Sequence, residues 1–199
     1  FNDIAAVERA LARGDVACVL TEPALTNCGL VPPLPGFLAQ LQRACRENGT
    51  LFVLDETHTV SSGWGGHARV EELEPDFMVI GKAIAGGLPC AVYGFSETMN
   101  ERMEAAKRAA PDGHSGIGTT LAANLLAIAA LHANLGEVMT PANYERMLAT
   151  AAAIEARLRE TLASWSCSTL RLSSSMRTAY QTMTRLTIRP SAAPRTWRA

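Results

Sequence analysis

Apolar residues in this chain come in short dense runs separated by stretches rich in glycine and proline, and the period inside each run decides the element it predicts. Ile4–Gly14 reads as a short helix that Asn2 or Asp3 can cap and Gly14 ends. Val16–Glu22 is a compact apolar run suited to a strand buried on both faces. After a Pro- and Asn-containing loop (Pro23–Pro35), Phe37, Leu38, Leu41 and Cys45 recur at helical spacing, predicting a helix over Gly36–Glu47 stopped at Asn48-Gly49. Leu51–Asp55 is a second apolar strand, ending in an acid. Glu56–Pro75, with three glycines and two histidines, reads as loop. Asp76–Gly81 and Cys90–Ser96 are the third and fourth strands. Helices fit Glu97–Arg108, Leu121–Asn134 and Pro141–Ala163, the last with proline in its first turn.

Strand, helix, strand at this spacing predicts an α/β protein whose mostly parallel sheet is covered by helices. Composition agrees with a folded core: 48% of the 199 residues are hydrophobic and 19% charged. The net charge of −1 shows no basic bias toward nucleic acid or anionic lipid. That balance hides a split. Residues 161–199 hold six arginines and no Asp, Glu or Lys, so residues 1–160 carry twelve basic against nineteen acidic groups, a net of −7. Periodicity also fails beyond Ser164. The expected organisation is therefore one domain over 1–163 and an unassigned Ser/Thr/Arg-rich tail over 164–199, for which a shifted reading frame is the favoured explanation over a disordered tail.

Five cysteines, odd in number and with no C-x-x-C pair, suit a reducing, cytoplasmic setting. Cys18 and Cys90, inside apolar runs, are expected as buried thiols. No run reaches the ~18 apolar residues of a membrane span. The chain begins with Phe rather than Met and is expected to be a fragment.

In an open parallel sheet, ligands bind beyond the carboxyl ends of the strands. Three strands here finish in Glu22, Asp55 and Lys82, so acid and amine converge on one edge. Only Lys82 and Lys107 stand against 16 arginines; lysine is not this chain's routine surface cation. Apolar and glycine-rich neighbours of Lys82 predict desolvation, which favours the neutral, nucleophilic amine. An amine nucleophile paired with a carboxylate on the next strand end suits pyridoxal 5'-phosphate, whose aldehyde takes the lysine and whose ring nitrogen takes the acid.

The ordered blocks LTEPALTNCGLVPP, LFVLDETHTVSSGWGGH, PDFMVIGKAIAGGLPCAVYG and HSGIGTTLAANLLAIAA resemble the class III aminotransferases over about residues 1–160, most of all the branch around glutamate-1-semialdehyde aminomutase. The resemblance implies part of the large domain of a pyridoxal-phosphate-dependent transferase of fold type I, a homodimer with its sites at the subunit boundary. It implies Lys82 as the Schiff-base lysine and proton carrier, Asp55 on the ring nitrogen, His58 near the ring hydroxyl, and Thr120 reaching the cofactor phosphate of the partner subunit. The implied reaction moves an amino group between an amino donor and an oxo-acid or aldehyde acceptor; in the aminomutase variant both are one molecule. Two positions depart from the family pattern: Ala123-Asn124-Leu125 stands where Gly-Asn-Pro is usual, and Asn27 where ω-amino-acid transaminases often carry a glutamate.

Three other readings stay open. LFVLDE also fits the acid-bearing strand of an ATPase, although Gly81-Lys82 is followed by Ala83 and lacks a glycine five residues earlier. Asp55, His58 and His67 have metal-ligand chemistry at no standard spacing, and no metal is expected. A non-catalytic remnant of an aminotransferase is the third.

Overall fold

A computed structural model describes residues 1–113 and 122–164. Its unit Phe1–Leu148 is built on a four-stranded sheet; a second unit begins at Ala149. The strands are β1 (Cys18–Thr21), β2 (Leu51–Asp55), β3 (Phe77–Ile80) and β4 (Val92–Phe95), in that spatial order. β1, β2 and β3 are parallel, and β4 joins β3 antiparallel. Connection length sets these directions. The links from β1 to β2 and from β2 to β3 are long enough to return a parallel strand, whereas the eleven residues between β3 and β4 are too few for a helical crossover and turn the chain back.

The helices are α1 (Ile4–Leu11), α2 (Phe37–Glu47), α3 (Gly66–Val70), α4 (Glu97–Ala109), α5 (Leu125–Ala133) and α6 (Pro141–Ser164). Asp3 caps α1 by accepting from Ala6 N at 2.9 Å; Asn2 instead ties the N-terminus to the Pro32–Leu34 loop. α1 and α2 cover one sheet face. Leu11, Phe37, Leu38, Leu41, Ala44 and Cys45 close over Phe52 and Leu54, with Val19 and Met78 at the margin. At about 25 cal/mol per Å² of apolar surface removed from water, these side chains are the main stabilising term of the unit.

Sheet alternation puts Leu20, Val53, Asp55, Phe77, Val79, Tyr93 and Phe95 on the opposite face. That face is open: Leu20 is 63% and Tyr93 50% exposed. β1, expected to be buried on both faces, is therefore half-buried on one and exposed on the other. The thiol expectation also changes, since Cys18 is exposed, Cys90 is half-buried, and the sequestered cysteine is Cys45. Burial, assisted by Asp76 and Cys18, pushes the Cys45 thiol up from 9.0 to about 11.

The expected loop Glu56–Pro75 contains a 3-10 turn (Val60–Ser62) and α3. Glu56 makes the difference. Its carboxylate, wholly buried, accepts from Thr59 Oγ1 at 2.7 Å and from the backbone N–H groups of His67 and Ala68 at the start of α3. An acid at that position satisfies two of the amides a helix start leaves unpaired. The helix expected from Leu121 begins at Leu125, because Asn124 caps it by accepting from Ala127 N at 3.1 Å. No single helix among the described residues is long and apolar enough to cross a membrane. The tail 165–199 lies outside the described residues.

Candidate active site

Each of the parallel strands delivers a polar side chain to the same edge. β1 runs into Glu22, β2 ends in Asp55 and continues to His58, and β3 exits through Gly81 into a 3-10 turn that opens with Lys82 (Lys82–Ala85). Because Asp55 pairs with Val79, Lys82 emerges three residues beyond the level of the Asp55 carboxylate. Glu56 N bonds Val79 O at 2.8 Å, carrying the β2–β3 ladder one step past the strand and fixing where the His58 loop departs.

Lys82 Nζ lies 2.6 Å from His58 Nε2. On the other side of the ring, His58 Nδ1 is 2.5 Å from Thr26 Oγ1 and 3.5 Å from Glu22 Oε2, and Thr26 Oγ1 donates to Glu22 Oε2 at 2.5 Å. Asp55 Oδ1 accepts from Thr57 N at 3.0 Å, closing the turn after β2, while Oδ2 carries no hydrogen bond among the described residues. The structure thus brings Lys82 and His58 into contact and sets Asp55 on the neighbouring strand end. Thr120 lies outside the described residues.

The backbone around the lysine is strained. Lys82 sits at φ 52°, in the left-handed region that disfavours a side chain by roughly 1–2 kcal/mol. Such strain persists only where surroundings hold it. Here Asn134, buried at the end of α5, donates from Nδ2 to Ala83 O and Ile84 O, both at 2.9 Å, and Ile84 is buried beneath the turn. The expected desolvation of Lys82 is not supplied by its apolar neighbours: Ile84 and Ala85 turn inward, and Lys82 itself stays exposed. A second left-handed residue, Ala123 at φ 61°, occupies the place where the family pattern has glycine. Ala123 thus stands in a backbone that glycine adopts without strain, next to the Asn124 cap of α5.

His67 does not join the edge; it stands on α3 with Nε2 3.8 Å from Glu71. No three His, Cys, Asp or Glu side chains among the described residues are arranged to hold a metal ion. Glu56, second acid of the ATPase reading, is committed to Thr59 and α3. Sequence reasoning flagged Glu22 as a strand-end acid but missed Thr26 and Asn134. The i, i+4 spacing of Glu22 and Thr26 was the available signal; Asn134 had none, since its partners are 50 and 51 residues away.

A parallel sheet whose strand ends present a lysine amine, an imidazole and acids has the architecture of pyridoxal-phosphate-dependent transferases of fold type I, and comparison with known proteins agrees. The profile of the family Aminotransferase class-III matches residues 1–178. A glutamate-1-semialdehyde 2,1-aminomutase of Anaeromyxobacter sp. is 40% identical over 168 residues, covering 82% of this chain and 37% of the relative. The crystal structure of a glutamate-1-semialdehyde aminomutase from Pseudomonas aeruginosa superposes with a TM-score of 0.76 at 48% identity, over 82% of this chain and 37% of that one; a variant of it is in complex with PMP. A β-phenylalanine aminotransferase from Variovorax paradoxus superposes with a TM-score of 0.69 at 29% identity, over 79% and 36%. The chain belongs to the class III aminotransferase family, whose members are pyridoxal-phosphate-dependent enzymes. It spans about 37% of the length of the relatives it matches.

Proposed function

We propose that this chain carries the reactive lysine of a pyridoxal 5'-phosphate-dependent amine transfer, with Lys82 as the amine that takes the cofactor and Asp55 as the acid that holds its ring nitrogen. The contact between Lys82 and His58 beside the β2 terminus carries the reading. The residues present fit the group: an exposed primary amine, accessible to an aldehyde, stands beside a strand end whose carboxylate has no hydrogen bond to Oδ2 among the described residues. When bound, the cofactor supplies an aldehyde carbon for an amine and a protonated ring that takes up electron density as a proton leaves the substrate's α-carbon.

The chain's own residues divide the remaining work. The Asp55 carboxylate would hold the ring nitrogen and favour a proton on it. His58 orients the Lys82 amine from Nε2. Lys82 Nζ would also carry the proton to and from substrate carbon. Thr120, assigned by family pattern, binds the phosphate held by a partner subunit, which makes the working form a homodimer with shared sites. The substrates are a small amino donor and an oxo-acid or aldehyde acceptor. No nucleic-acid or membrane partner is proposed, and the free thiols among the described residues support a reducing, cytoplasmic setting. A second reading, transfer of the amine between adjacent carbons of one molecule, is favoured by the 48% identity to the aminomutase from P. aeruginosa.

Borohydride reduction of the 199-residue chain with pyridoxal phosphate, followed by peptide mass spectrometry, tests the assignment. Pyridoxyl is expected on Lys82 in preference to Lys107. Preferential labelling of Lys107 or of the N-terminus removes Lys82 from its role.

A further inference from the structure

Thr26 has a single hydroxyl proton and two close partners, and this fixes the direction of every bond in the chain of groups behind Lys82. Glu22 Oε2, as a carboxylate oxygen, only accepts, so the Thr26 hydroxyl donates to it at 2.5 Å. Thr26 Oγ1 then has only lone pairs to offer His58, and at 2.5 Å from Nδ1 it must accept an Nδ1–H. A neutral imidazole with its proton on Nδ1 keeps a lone pair on Nε2, which points at Lys82 Nζ, 2.6 Å away, and accepts from it. With the other tautomer, an N–H would face the lysine ammonium, and the Nδ1 lone pair would face an oxygen whose only proton is already used. One tautomer satisfies all four groups.

We propose that Thr26 and Glu22 are positioning residues that lock His58 in its Nδ1–H form and make Nε2 the acceptor for the Lys82 proton. The proposal rests on the reading of Lys82 as the cofactor-bearing lysine. Before an amine attacks an aldehyde carbon it must present a free electron pair. The proton leaves Lys82 Nζ, its bonding electrons stay on nitrogen as that pair, and the proton binds the lone pair of His58 Nε2. The ring's new positive charge is shared over both nitrogens, and at Nδ1 it meets Thr26 and, 3.5 Å away, the Glu22 carboxylate. The logic is that of a nucleophile, a base and an orienting acid, with lysine in the nucleophile's place.

The relay is assembled by tertiary structure. Glu22 follows β1, His58 the turn after β2, and Lys82 the exit of β3; a bridge between Leu25 and Val31, with backbone bonds of 3.0 and 2.9 Å, pinches the loop that presents Thr26. Glu22 and His58 are mostly covered, with 22% and 30% of their side chains exposed, so that end of the polar chain is partly shielded from competing water, while Lys82 is open to it.

Two-bond proton–nitrogen spectra of the ¹⁵N-labelled 199-residue chain read the tautomer directly, with the His58 signals identified by their loss in His58→Gln. The neutral ring is expected as Nδ1–H, the reverse of the form an unrestrained histidine prefers. Thr26→Val should lower the Nδ1–H to Nε2–H ratio by about three- to tenfold, the worth of one hydrogen bond, and Thr26→Ser should restore it. An Nε2–H ring in the unmodified chain overturns the relay without any variant. So does an unchanged ratio in Thr26→Val. Failure of Lys82 as the cofactor lysine shows separately, as pyridoxyl on Lys107 with the His58 tautomer still Nδ1–H.

Discussion

Replacing Lys82 by glycine and by alanine separates its backbone from its amine. Both variants lose the contact with His58, so that loss cancels between them. What differs is the backbone at φ 52°, where a Cβ is disfavoured by roughly 1–2 kcal/mol and glycine is not. Glycine's greater freedom in the unfolded chain opposes this by about 0.4–1 kcal/mol. The difference leaves Lys82→Gly more stable than Lys82→Ala by about 0.5–1 kcal/mol. A control reverses the sign: Ala106→Gly, exposed in the interior of α4, should lose about 1 kcal/mol. Urea unfolding followed by circular dichroism measures both. With a slope of about 2 kcal/mol per molar urea, the Gly and Ala variants at 82 should differ in midpoint by roughly 0.25–0.5 M. A Lys82→Ala midpoint equal to or above that of Lys82→Gly would refute the strain assigned to the lysine turn, and with it the view that this turn is held against its local preference.

Asn134→Ala strips Ala83 O and Ile84 O of their side-chain donor and should destabilise the protein by about 2 kcal/mol, read as a lower urea midpoint; it should also weaken the preference of pyridoxyl for Lys82 over Lys107, and an unchanged preference counts against the positioning role. Cys45 predicts an alkaline loss of stability. Below pH 9 the thiol is protonated in both folded and unfolded chains; between 9 and about 11 only the unfolded thiol ionises, so stability falls through that window by about 3 kcal/mol, at 1.4 kcal/mol per unit. Cys45→Ala should lack this component, and parallel pH–stability curves for the two proteins would show the thiol to be uninvolved.

Local rules in the sequence carried far here, as particular residues show. Phe37, Leu38, Leu41 and Cys45 repeat at helical spacing and form the buried stripe of α2. Leu51–Asp55 was legible as a strand to the residue, because an apolar run between Gly49 and an acid leaves little room for another register. Two misjudgements came from rules that look only along the chain. Val16–Leu20 is apolar throughout, yet burial depends on what packs against each face, and the face bearing Leu20 has no cover among the described residues. Likewise, Glu56–Pro75 has the composition of a loop, while α3 forms because a buried carboxylate reaches across from Glu56 to its first amides.

Sequence by itself determined the four strands and the longer helices, the parallel core and the convergence of Glu22, Asp55 and Lys82 on one edge, since strand period and strand direction are written in neighbouring residues. It also marked Lys82 through the scarcity of lysine elsewhere. Only the folded chain decided that His58 meets Lys82, that Thr26 stands between His58 and Glu22, and that Asn134 holds the lysine turn. Apart from Thr26 and Glu22, four positions apart, those contacts join residues 24 to 51 positions apart, through polar side chains that leave no periodic trace. Their partners are chosen by where three loops end in space, a quantity that spacing along the chain does not encode.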